Sequence, residues 1–372
     1  MPKHTSLFDY HSEHAKTVDF AGYEMPLWYT NTTDEHLAVR NRSGIFDVSH
    51  MGRVTIKGSS AGALVDYLVP TQASSQPSSK SFYTLLLNEN AGIMDDLIVI
   101  KRSQDDYLLV INAATSEKDL KHIEKATSRF DVEIENITQS TTMIAVQGPE
   151  ATQVLQPMAS SDLSELKRFR NTEASVDGGR ASITRTGYTG EDGYEIIMFD
   201  SGPDNNHSAM KVWGELARNS TPCGLAARDS LRLEAGLPLY GSDIDEDTNP
   251  VEADLYWVVS KEKEGYIGRQ RLGELLAQKP PRIRRGLLLT DKIPRRDFEV
   301  STPTREPIGK ITSGTFSPIL KKGVALAYLN SDHSQFGERV SVNVRGTNVD
   351  ANVVKPPFYD ERVYGWRREI KR

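Results

Sequence analysis

The sequence predicts an α+β chain that passes into an all-β module, and three observations carry this. Across residues 44–200 strand-like runs alternate with amphipathic helical stretches and short hairpins, the pattern of sheets with helices on one face. Around residues 181–199 two strands flank a connection that holds Gly187, Gly190 and Gly193, a hairpin with an open tip. From Ile283 onward short strands are punctuated by Gly, Pro and Ser, the texture of a small barrel.

In chain order, residues 36–41 carry a short helix signal and 44–48 a strand. Residues 53–57 alternate as a strand, and 60–69 bear apolar side chains at helical spacing. A serine-rich loop at 71–80 precedes strands at 82–87, 96–101 and 107–112, and 116–128 has the charge and spacing of an amphipathic helix. The chain then returns to strand and helix before the central hairpin, so its first and third quarters read as one discontinuous module. Residues 225–235 form a helix, stopped by Gly236 and Pro238. Strands at 286–289, 308–312, 325–329 and 340–344 build the barrel.

At 372 residues the chain exceeds what one hydrophobic core sustains, so two or three domains are expected. A formal charge of −6 gives no global attraction to nucleic acid or to an anionic membrane. Runs such as residues 97–100 and 108–111 fall far short of the ~18 apolar residues needed to span a bilayer. The start has no apolar signal core and no arginine-rich leader, so we expect a cytoplasmic protein, or a mitochondrial-matrix one only if a transit peptide has been removed. Cys223 is the single cysteine, which excludes an internal disulfide and a cysteine metal cluster. Its setting between Pro222 and Gly224 reads as a small loop or core position. His11 and His14 form a weak zinc pattern without adjacent carboxylates, and surface or capping roles fit them better; we expect no metal.

Three candidates for chemistry stand out. Glu195 lies just inside the returning strand of the hairpin, on a face shared with Ile197, while Tyr194, Ile196 and Met198 take the other. Both faces are largely apolar, and a carboxylate there is costly to desolvate unless paired. The local pattern leaves two further readings open, a strand end facing water or a structural arginine partner. Asp95 and Asp96 sit between a turn and the strand that follows, where neighbours face opposite ways, so only one looks into any given pocket. On the 225–235 helix Arg228, Arg232 and Ala235 share a face, and Asp229 with Arg232 reads as a surface pair.

The hairpin motif Arg-Thr-Gly-Tyr-Thr-Gly-Glu-Asp-Gly-Tyr-Glu-Ile (185–196) resembles the glycine cleavage system T protein, the tetrahydrofolate-dependent aminomethyltransferase. So do Gly-Leu-Ala-Ala-Arg-Asp (224–229), Gly-Lys-Ile-Thr-Ser-Gly (309–314), Gly-Ile-Phe-Asp-Val-Ser-His-Met-Gly (44–52), Gly-Ile-Met-Asp-Asp-Leu (92–97) and the blocks at 18–27 and 243–252. The likeness spans nearly the whole chain in the family's order. It departs at Ala91 and Asp297, turn positions where the family has glycine.

The resemblance implies three domains around a central opening, two of mixed α/β type and a C-terminal β-barrel. We place them at residues 1–52 with 142–225, 53–141 with 226–280, and 281–372. It implies tetrahydrofolate as co-substrate, a lipoyl group supplied by the carrier H protein as partner, Asp96 as the catalytic acid, and Glu195 with Arg228 on the folate. A carboxylate suits that role because the pterin's amino group and adjacent ring N–H form a two-hydrogen donor edge. Tyr83, Asn112 and Tyr188 match positions that line a flat ligand, Arg362 and Tyr364 lie in the C-terminal segment near the opening, and Trp257 reads equally as barrel-side packing. His50 belongs to a family block and reads as packing. The basic run Arg362, Arg367, Arg368, Lys371 and Arg372 is a solvated tail or, by charge, part of a carrier-docking face. Alternatives on the same scaffold are a folate-dependent demethylase acting on a small methylated compound and a non-catalytic folate-binding accessory protein. A dinucleotide enzyme is disfavoured, as no Gly-x-Gly-x-x-Gly follows a strand.

Overall fold

The computed structural model describes residues 2–368 and resolves into two compact units. One comprises the chain up to Leu86, Asp95–Arg228 and Ser260–Tyr266; the other comprises Leu87–Met94, Asp229–Val259 and the chain from Ile267 on.

The first unit holds two sheets of mixed α/β character. Its six-stranded sheet runs Asn171–Val176, Gly179–Thr184, Gly193–Met198, Thr142–Gln147, Gly44–Asp47 and Thr221–Pro222, antiparallel except for the last pair. The alternation read from the sequence holds in the hairpin: Tyr194, Ile196 and Met198 enter a core with Ile144, Val146 and Ile183. Helix His207–Asn219 covers that face with Ala209, Val212, Trp213 and Leu216, an i, i+3, i+4, i+7 stripe. Val212 and Leu216 each contribute roughly 1.5–3 kcal/mol on burial. The five-stranded sheet is ordered Ser81–Leu87, Ile93–Lys101, Asp106–Ile111, Gly52–Lys57 and Glu133–Asn136. Helices Ala61–Leu68 and Ser116–Thr127 accompany it, and the latter buries Asp119, Ile123 and Ala126.

The second unit is dominated by a closed six-stranded barrel, ordered Arg282–Leu289, Lys322–Asn330, Pro307–Ser317, Glu299–Ser301, Arg339–Val344 and Thr347–Val354. Strand Thr347–Val354 pairs back onto Arg282–Leu289 and closes the ring. Leu287, Leu289, Ile311, Ala325, Ala327, Leu329, Val340, Val342 and Val353 fill it at alternate positions. On its outside Leu233, from the end of helix Leu225–Glu234, packs with Val324 and Leu326. Arg232 is a correction to the surface pair: it does bond Asp229, at 2.8 Å, but it is buried and also reaches Asp243 at 2.6 Å and Ser313 at 2.9 Å. Trp257, read equally as barrel-side packing, is 64% exposed. Ala91 and Asp297 adopt φ of 61° and 68°, in the left-handed region that favours glycine.

Candidate active site

The five-stranded sheet brings one set of expected residues together. Strand Ile93–Lys101 begins three residues earlier than the expected 96–101, so Asp95 lies within it as well as Asp96, and both are buried. Tyr83, on the neighbouring strand, donates its hydroxyl to Asp96 Oδ2 at 2.9 Å. Asn112, just past the end of strand Asp106–Ile111, donates its side-chain amide to Asp96 Oδ1 at 2.9 Å and Asp95 Oδ1 at 2.8 Å. Its backbone N–H completes a fork on Asp95 Oδ2 at 3.0 Å. Burial, then the charge on Asp95, pushes the Asp96 carboxyl up to about 7, against the two donors that favour its charge. An acid poised there exchanges a proton at neutral pH in either direction.

The six-stranded sheet assembles the second set. Glu195 is 8% exposed, which removes the reading of a strand end facing water. Thr186 donates its hydroxyl to Glu195 Oε2 at 2.5 Å. A carboxylate has lone pairs for about four donors, so acceptor capacity is left over. Arg228, at the start of helix Leu225–Glu234, acts electrostatically on Glu195 and stacks its guanidinium 4.8 Å from the Tyr188 ring. Burial pulls the Arg228 guanidinium below its usual range, opposed by Glu195 and Tyr188. Its Nη1 atom is buried with no hydrogen-bond partner among the described residues. A buried, charged donor left open beside a carboxylate with spare acceptors fits a planar ligand that carries both donor and acceptor edges.

The hairpin tip is held by two devices. Gln147 donates to Thr186 O at 3.1 Å and accepts from Thr189 at 2.8 Å; a Cβ on Gly187 would sit 1.9 Å from its Oε1, so only glycine fits. Arg40 reaches Thr189 O at 2.9 Å and Glu191 at 3.0 Å, a fully buried ion pair.

Sequence reasoning passed over several groups. His50, read as packing, is buried edge-on to Phe20, and burial followed by Arg228 pushes its imidazole down to about 3, so it stays neutral beside the cation. Its Nδ1 has no hydrogen-bond partner among the described residues. Thr186, which donates to Glu195, gave no signal, since a threonine is not unusual in its local pattern. His11, expected at the surface, is fully buried, bonding Asp47 at 2.9 Å and Tyr29 at 2.8 Å. Cys223 is buried and its thiol is pushed up by burial, which suits a core position.

Arg362 and Tyr364 belong to the second unit. Arg362 is exposed and pairs with Asp360 at 2.7 Å, and Tyr364 meets Tyr359 and Arg368. Of the basic run, Arg367 pairs with Glu361 at 3.4 Å, while Lys371 and Arg372 lie outside the described residues. No group of side chains among the described residues is suited to hold a metal ion, and none of their helices is long and apolar enough to cross a membrane.

A mixed α/β unit with a buried acid raised to about 7, together with a second unit built on a closed barrel, describes the class of protein. The comparisons make this particular. Residues 7–263 match the GCVT N-terminal domain, and residues 282–360 match the glycine cleavage T-protein C-terminal barrel domain. The chain is 43% identical over 379 residues to an aminomethyltransferase of Thermotoga petrophila, covering 99% of this chain and 100% of that one. It is 40% identical to that of Halalkalibacterium halodurans, covering 96% and 98%. Among solved structures, the glycine cleavage system aminomethyltransferase T from Bartonella henselae superposes with a TM-score of 0.91 at 34% identity, covering 98% of this chain and 100% of that one. The chain belongs to the glycine cleavage T-protein family.

Proposed function

We propose that the chain works as the aminomethyltransferase of a glycine cleavage system. It moves a one-carbon unit from an S-aminomethyl-dihydrolipoyl carrier, the H protein, to tetrahydrofolate. The carbon leaves sulfur and its amino nitrogen; ammonia, the dihydrolipoyl thiol and 5,10-methylenetetrahydrofolate are the products. The observation that carries this reading is Asp96, a buried acid raised to about 7 and fixed by Tyr83 and Asn112.

When bound, tetrahydrofolate supplies the two nitrogens that take the carbon. Asp96 holds or accepts a proton at those nitrogens, and its charge steadies the positive carbon as ammonia departs. Positioned proton transfer of this kind contributes on the order of 10²–10⁴ in rate. Tyr83 and Asn112 fix the orientation of its carboxyl. Glu195 accepts the donor edge of the pterin, the open Arg228 Nη1 donates to an acceptor on the ring, and the Tyr188 ring keeps Arg228 in place. The Arg362 and Tyr364 assignment rests on the resemblance: loss of folate affinity in Arg362→Ala or Tyr364→Phe supports it, and unchanged affinity in both removes it.

The three-domain division set out above is likewise proposed. It is supported by the sheets, each of which draws its strands from one of those spans, apart from Gly52. We further propose a cytoplasmic site of action, which cell fractionation tests.

The deciding experiment measures ammonia release from aminomethylated carrier with and without tetrahydrofolate. The proposal expects release that is fast only with tetrahydrofolate and stoichiometric with methylene product. Demethylation of small methylated amines or sulfonium compounds, with no turnover of loaded carrier, would select the rival reading.

A further inference from the structure

The carboxylate assigned to recognition is held by a run of hydroxyls with a single direction. Thr184 lies directly across the hairpin from Glu195, and Thr186, two residues further along, reaches the same side chain. All three residues are buried. The Thr184 and Thr186 hydroxyls lie 2.6 Å apart, and Thr186 Oγ1 lies 2.5 Å from Glu195 Oε2. A hydroxyl has one hydrogen and a carboxylate oxygen only accepts, so the Thr186 hydrogen goes to Glu195. The contact between the two hydroxyls is then filled by the hydrogen of Thr184. Its other acceptor, the Glu195 carbonyl oxygen, stands at 3.5 Å, beyond the range of a good hydrogen bond. The run therefore reads one way, Thr184 to Thr186 to Glu195.

The backbone around this run is fixed independently of it. Gln147 donates to Thr186 O at 3.1 Å and to Tyr194 O at 3.4 Å, one on each arm of the hairpin. Those contacts set where the Glu195 side chain starts, and its carboxyl is left to Thr186, its one side-chain hydrogen-bond partner among the described residues. We propose that Thr186 is a positioning residue for Glu195 and that Thr184 fixes the direction in which it donates. With Oε2 engaged, Oε1 and the spare lone pair of Oε2 form an acceptor edge of set orientation, and a ligand is selected for presenting two hydrogens to it. This role rests on the reading that Glu195 receives the donor edge of the pterin.

Calorimetric titration of tetrahydrofolate into the full-length protein tests it. A hydroxyl bonded to a buried carboxylate is a charge-assisted contact, so Thr186→Val is expected to bind at least about tenfold more weakly. Thr186→Ser keeps the hydroxyl and is expected to bind as the wild type does. Thr184→Val leaves Thr186 its hydrogen and its bond to Glu195, and a loss of no more than about threefold is expected. A double-mutant cycle with Glu195→Ala separates orientation from hairpin shape. In the Glu195→Ala background Thr186→Val is expected to cost nothing further, because no carboxyl remains to be oriented. A threonine that only shaped the hairpin would cost as much in Glu195→Ala as in the wild type. Should Thr186→Val fail to fold, Thr186→Ala removes the same hydroxyl and carries the same expectations.

Turnover of loaded carrier gives the second readout. Thr186 acts on the recognition acid and not on Asp96, so Thr186→Val is expected to raise the tetrahydrofolate KM while kcat at saturation stays at the wild-type value. Wild-type affinity in Thr186→Val, an undiminished loss in the Glu195→Ala background, a Thr184→Val loss larger than that of Thr186→Val, or a fall in kcat equal to the fall in kcat/KM would each overturn the proposal. Failure of the underlying reading shows separately, as a tetrahydrofolate affinity that Glu195→Ala alone leaves unchanged; that result removes the recognition role of Glu195 and the positioning role of Thr186 together.

Discussion

Replacing Asp96 by asparagine is expected to stabilise the fold while stopping the reaction. The Asp96 carboxyl is raised from 3.8 to about 7 by burial and by Asp95. Between those values the folded chain holds a proton that the unfolded chain has released, so stability falls as pH rises through the window and the penalty is complete above about 7. A rise of about three units at ~1.4 kcal/mol each sets this penalty at about 4 kcal/mol. Asparagine carries no such cost. Its Oδ1 still accepts from the Asn112 amide while its Nδ2 donates to the Tyr83 hydroxyl oxygen, and the exchange of a charged acceptor for a neutral amide forfeits about 1 kcal/mol. The variant is therefore expected to gain about 3 kcal/mol at pH 8, and about 2 kcal/mol of that gain should disappear at pH 5.5, where the wild-type acid is protonated. Chemical denaturation at the two pH values, with the thermal midpoint as a second probe, reads it directly. A variant less stable than the wild type at pH 8, or a stability gap that does not change with pH, would refute the reasoning that a desolvated anion is maintained there for chemistry.

Other expectations follow from the same contacts. If ionised Asp96 accepts the proton, kcat rises with pH through an apparent pKa near 7, and a flat profile between pH 6 and 8 would exclude that role. Arg40→Met leaves Glu191 buried without its ion partner and is expected to cost ~3–5 kcal/mol in denaturant unfolding, with weaker folate binding because the hairpin tip loosens. Gly187→Ala drives a methyl into the Gln147 amide; a loss of ~1–3 kcal/mol is expected, together with lower folate affinity measured by calorimetry.

Much of this was legible in the chain because its periodicities are strong. The hairpin alternation separated Tyr194, Ile196 and Met198 from Glu195, and the structure buries the first three in the core and keeps the acid on the other face. The barrel was announced by its Gly, Pro and Ser punctuation, although strands Glu299–Ser301 and Thr347–Val354 were missed, the one too short and the other too polar to show an apolar run. Helix His207–Asn219 went unread despite its apolar stripe. The acids were harder for a physical reason. Asp95 and Asp96 head an apolar run, so a pattern reading starts the strand no earlier than Asp96, and tertiary partners such as Tyr83 and Asn112 make it possible for the strand to run through both. Arg232 was misjudged in the same way, since Asp243 and Ser313, which permit its burial, are distant in sequence.

In the proposed reaction two acids divide the labour, Glu195 in recognition and Asp96 in proton handling. Tetrahydrofolate titrated by calorimetry into Asp96→Asn and Glu195→Gln, each then assayed with loaded carrier, separates the two. Asp96→Asn is expected to bind folate as the wild type does yet lose at least ~10²-fold in kcat, whereas Glu195→Gln is expected to lose folate affinity first. Wild-type turnover in Asp96→Asn, or unchanged folate binding in Glu195→Gln, would contradict it.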